Sequence, residues 1–220
     1  MNFLAHYYYD KIDNDPAHTL GLLLPDLVRN FGKPIHQLPD ISTFTSFKEK
    51  SIAQGFLQHI QSDKIFHQTE GFVLFNKQII SLLRNSTIAF KRDWFLAHIF
   101  TELMLDRVIL LRHPDLAENL YSELATIDES TIHSFFTAMN YTDPSNFFIG
   151  FNKFNQAAYL QSYIHPESVA FAMGKIAQKM DINISDASHK KVMVQIIESL
   201  ENKMFTFMED LSSALKVDQN

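Results

Sequence analysis

Apolar residues in this chain recur at helical spacing. In SIAQGFLQHIQSDKIF (residues 51–66), Ile52, Phe56, Ile60 and the pair Ile65 and Phe66 return at steps close to four. Each helical residue turns about 100°, so that spacing gathers them on one face. Residues 91 to 111 are almost continuously apolar, the mark of a central helix buried on all sides. Further helices are expected from Pro114 at a first turn, from Asp128 as an N-cap, and from Asp143 capping a helix that opens at Pro144. Two more cover residues 166–180 and 186–216. Strand-like alternation is scarce, no Asn-Gly hairpin signal occurs, and only 6 Gly and 7 Pro punctuate the chain. The expectation is a single all-α domain over residues 1–220, a bundle of nine or ten helices, with an irregular loop at about 33–50.

Composition narrows the function classes. Hydrophobic residues make up 46% of the chain and include 20 Phe, enough for a packed core. The formal net charge of −6 lacks the basic excess typical of nucleic-acid-binding proteins. The chain has no cysteine, which removes disulfides, thiolate metal sites and a Cys nucleophile. The opening MNFLAHYYYD has no positive segment followed by a long apolar run, and no stretch reaches the roughly 18 apolar residues that span a bilayer. A cytoplasmic protein without a membrane segment is expected.

Two ladders of metal-liking side chains stand out. HIQSDKIFH places His59, Asp63 and His67 four apart, and HIFTELMLD does the same with His98, Glu102 and Asp106. On a helix, residues four apart are offset by about 40° and 6 Å, so neighbours can share one ion. Three cannot share it comfortably, because their backbones span about 12 Å while ligand bonds are near 2 Å. Each ladder therefore suggests two ions, or one ion with a supporting third residue. Imidazole and carboxylate donors suit Mn, Fe, Zn or Mg. The plain alternative is a surface ion pair worth a few tenths of a kcal/mol. His67 and Asp106, at the ladder ends, read as solvated, and Asp106 beside Arg107 reads as an exposed charge pair.

His6 lies in the aromatic opening helix, and Asp26 follows an apolar run and Pro25. Alone, the first reads as a hydrogen-bonded core histidine and the second as a turn cap.

In combination these segments carry more. MNFLAH, GLLLPDLVR and GFLQHIQSDKIF, followed more weakly by ELMLDRVI and by NKFNQAAYLQSYIHPESVAFAMGKIAQKM, resemble the acyl carrier protein phosphodiesterase family over nearly the whole chain. The resemblance implies an HD-domain-like helical phosphohydrolase. The implied reaction is hydrolysis of the phosphodiester joining 4′-phosphopantetheine to a serine of acyl carrier protein, with a divalent metal, manganese foremost. His6, Asp26, His59, Asp63 and Glu102 match the family's motif positions. The chain departs from the pattern at Ile60, where the family has arginine, at Leu22, at His67, and at the pair Glu102 and Leu103.

Phosphodiester hydrolysis needs an activated water and relief of phosphoryl charge, both of which a metal supplies. The expected metal ligands are His6, Asp26, His59, Asp63 and His98. Asp26, Asp63 and Glu102 are the expected catalytic acids, and Lys64 and Arg107 the nearest phosphate contacts in sequence. Acyl carrier protein is the expected partner. The altered phosphate-side residues keep two alternatives open: a non-catalytic helical binding protein, or a hydrolase of another phosphoester.

Overall fold

The computed structural model describes residues 1–184 and 186–217, with the backbone alone at 216 and 217. Among these residues the chain is all-helical, with ten α-helices and no strand. The helices are α1 (Phe3–Asp10), α2 (Pro16–Phe31), α3 (Phe47–Gln68), α4 (Glu70–Arg84) and α5 (Asp93–Arg112). They continue as α6 (Leu116–Ala125), α7 (Glu129–Ala138), α8 (Ser145–Ala157), α9 (Pro166–Lys179) and α10 (Ala187–Val217). Short 3-10 turns cover Ile41–Thr43 and Tyr159–Ile164. No helix among the described residues is long and apolar enough to cross a membrane.

Several boundaries follow the expected chemistry. Asp128 caps α7 by accepting the Thr131 N–H at 2.8 Å, and Asp15 caps α2 by accepting that of His18 at 3.0 Å. Others differ. Asp143 does not cap α8; it adopts a left-handed φ of 57°, and Pro144 takes the cap position. Pro114 precedes Asp115, the cap residue of α6, and so lies outside that helix. The expected loop at 33–50 ends early, because Asp40 organises the 3-10 turn and α3 begins at Phe47. Asp26 sits inside α2, one residue after an internal proline, and the caps of that helix are Asp15 and Gly32.

The chain divides into two compact units. Unit 1 comprises residues 1–5, 64–114 and the chain from Gln161 onward. Within it α5 packs against α4, α9 and α10. From Leu96 to Leu110 every residue of α5 is buried except His98 and Glu102. Burying each large apolar side chain there contributes about 1.5–3 kcal/mol.

Unit 2 comprises residues 6–63 and 115–160. Its α2 packs on α6 and α8 around an aromatic cluster in which Phe147 meets Phe136 edge-on at 4.9 Å and stacks on Phe151 at 5.6 Å. On another side α2 and α3 touch backbone to backbone. A Cβ at Gly21 would overlap the Ile52 carbonyl oxygen, and one at Gly55 would overlap that of His18. This approach brings His59 of α3 within 2.7 Å of the Leu22 carbonyl oxygen.

Candidate metal centre

In unit 1 the last turn of α3 brings His67 to His98 and Glu102, which lie one turn apart on α5. The same carboxylate oxygen of Glu102 is 3.2 Å from Nε2 of His67 and 3.2 Å from Nε2 of His98. The imidazoles stack with centroids 4.7 Å apart. Phe72, in the first turn of α4, meets both edge-on, at 4.8 Å and 5.2 Å, and holds their planes. All three side chains keep a path to solvent, with 28%, 41% and 19% of their surface exposed for His67, His98 and Glu102.

The spacing fits a cation. Donors about 2.1 Å from one ion, at angles of about 90–110°, lie about 3.0–3.4 Å from each other. The two 3.2 Å separations fall in that interval and are equally those of imidazole–carboxylate hydrogen bonds, which hold the three side chains together. His67, His98 and Glu102 can therefore hold a metal ion, and they are the one such set of three among the described residues. Burial pushes the Glu102 carboxyl up, but the chain-terminal amine and the two imidazoles outweigh it and hold it well below the usual carboxylate range. Two nitrogens and one oxygen would leave coordination positions of such an ion to other donors.

The second ladder splits at its third rung. Asp106 is fully buried and turns to the chain start, accepting the N–H groups of Ala5 at 2.8 Å and Leu4 at 3.3 Å and the Asn2 amide at 2.9 Å. The reading of Asp106 and Arg107 as an exposed pair is thus corrected: both are buried and each has other partners. Arg107 donates from Nε and Nη2 to Glu201 at 3.1 Å and 2.7 Å, and from Nη1 to the carbonyl oxygens of Tyr163 and Ile164. Four of its five N–H groups are engaged inside unit 1. Lys64 is exposed on α3. His67, read as solvated, belongs instead to the converging set.

Unit 2 holds the other expected residues. His6 and His59 are both buried and their rings stack at 3.9 Å. A carbonyl oxygen only accepts, so the Leu22 contact places a proton on His59 Nδ1 and leaves a lone pair on Nε2 of the neutral ring. Burial lowers the His59 pKa, against the upward pull of Asp26 and Asp63. Nδ1 of His6 is 3.3 Å from Asp10, whose other oxygen accepts from Ser62 at 2.8 Å and Gln58 at 3.2 Å. Burial raises Asp10 to about 6, although the Ser62 and Gln58 hydrogen bonds favour the charged form. Asp10 escaped the sequence reading, although HYYYD already placed it four residues from His6.

Comparisons of the chain with protein-family models, with curated proteins and with solved structures find no match in any of the three.

Proposed function

We propose that this chain is a divalent-cation-dependent phosphodiesterase whose cation is held by His67, His98 and Glu102. The observation that carries this reading is the placing of two imidazole nitrogens 3.2 Å from one carboxylate oxygen, at the solvent-reaching point of the otherwise buried stretch Leu96–Leu110 of α5. The resemblance to the acyl carrier protein phosphodiesterase family supplies the substrate, the phosphodiester between 4′-phosphopantetheine and a carrier serine, and names manganese as the cation.

When bound, the cation supplies Lewis acidity toward a phosphoryl oxygen and a more acidic water. The residues of the chain do the rest. Glu102 stays ionised at neutral pH and provides the charge that retains a dication. Phe72 keeps both rings aimed at the shared oxygen.

Metal analysis of the purified protein, followed by an assay for phosphopantetheine release from holo acyl carrier protein, tests the reading. Bound metal with release that disappears in His98→Ala and Glu102→Ala supports it. Absence of metal binding rejects it. Metal binding without release keeps a hydrolase of another phosphoester and rejects this substrate. A non-catalytic binding protein is favoured by one observation: Arg107 is bound up with Glu201 and two carbonyl groups, and exposed Ile60 stands where the family has arginine.

A further inference from the structure

We propose that unit 1 carries a docking surface for an acidic protein segment, centred on Phe171 of α9 and independent of the metal centre. Phe171 is 53% exposed, although its neighbours Val169, Ala170 and Met173 are buried. Two ammonium groups lie over its ring. Lys175, one turn along α9, is 5.4 Å from the centroid, and Lys190, in the first turns of α10, is 5.7 Å from it. One lysine on an aromatic ring is ordinary packing. Two on the same exposed ring repel each other, and neither has a carboxylate within ion-pair distance among the described residues. Each ammonium gains when a docking carboxylate supplies the anionic partner it lacks.

The cationic surface continues beyond the ring. Arg92, in the α4–α5 loop, donates to the carbonyl oxygen of Met180 at the end of α9. Phe90 of the same loop meets His189 edge-on at 5.0 Å, next to Lys190. The nearby acid Asp186 is taken up by the main-chain N–H and the ring of His189. Glu167, one turn before Phe171, marks the acidic edge of the patch. Asp181, exposed beside Met180, is a further acid of this stretch, so the cationic character centres on the ring itself, where Lys175 and Lys190 orient an acidic partner as it approaches.

The chemistry favours a protein over an anionic lipid surface. Phe171 lies beneath two ammonium groups, so inserting its ring into hydrocarbon would drag both charges with it. An amphipathic acidic helix meets no such obstacle. Its carboxylates meet Lys175 and Lys190 while an apolar side chain covers the ring edge.

The test uses the full chain and a fluorescent synthetic helix in which Glu residues flank a central Leu, with a Gln-for-Glu twin as control. Binding is followed by anisotropy at low and high salt. The Glu helix is expected to bind about tenfold more tightly than the Gln twin, and more weakly as salt rises. The pair Lys175→Glu with Lys190→Glu, and separately Phe171→Ser, are expected to weaken it about tenfold. Lys175→Arg with Lys190→Arg is expected to preserve it, and circular dichroism checks that each variant is folded. Equal binding of the two helices, undiminished binding by the charge-reversed variant, or no binding at all overturns the proposal. So does binding confined to phosphatidylserine-containing vesicles, which would assign the surface to lipid.

Discussion

The carboxylate of Asp106 on α5 accepts the main-chain N–H of Ala5 at 2.8 Å, joining groups 101 positions apart in the chain. The first N–H groups of any helix have no acceptor within it. In α1 those of Leu4 and Ala5 find theirs on a buried acid from another helix, in the manner of a cap supplied through tertiary structure. Removing the carboxylate in Asp106→Ala leaves two buried donors unmet, and about 1–3 kcal/mol of stability should be lost. Urea denaturation at neutral pH measures it.

The same residue shapes the pH profile. Burial pushes Asp106 up to about 7 from an ordinary 3.8, so the native chain holds a proton that the unfolded chain releases. Its contribution to stability therefore falls as pH rises between about 4 and 7. Asp106→Asn should remove that slope. An unchanged slope in unfolding curves across this range would mean that Asp106 is ionised throughout.

His59 acts in the opposite sense. Burial lowers its pKa from 6.5, so below that pH the unfolded chain takes up a proton that the native chain refuses. His18 is lowered for the same reason. Stability in unit 2 should thus fall as pH drops below 6.5. In His59→Gln the acid limb should become shallower, a change visible in thermal melts below pH 6.5.

Gly55 should tolerate no side chain. The added methyl of Gly55→Ala would meet the His18 carbonyl oxygen, a backbone atom that cannot swing aside. Separating α2 from α3 should cost about 1–3 kcal/mol and lengthen the contact between His59 and Leu22. A shift of the urea midpoint reports the first effect, and the His59 ring proton resonances report the second.

Arg107→Met tests whether that arginine is structural. Glu201 and the carbonyl groups of Tyr163 and Ile164 would lose their donor, costing about 3 kcal/mol. The variant should melt earlier, and its affinity for added manganese or zinc, measured by calorimetry on the folded protein, should be unchanged.

The chain sequence by itself determined that the protein is helical, and it determined the spacing within each ladder. Both are local facts: a turn of about 100° per residue places His98 and Glu102 on one face in any helix that contains them. It could not say which rung faces what. His98 and Glu102 reach solvent where α5 surfaces, while Asp106, one turn further on the same stripe, is sealed against the chain start. Nor could it single out His67, which looked like a solvated ladder end until the last turn of α3 brought it to α5, or Asp10, whose role depends on Ser62 and Gln58 of a distant helix. Helical periodicity is written in neighbours, but convergence depends on how helices pack. Packing in turn depends on contacts such as Gly21 against Ile52 that no short window of sequence contains.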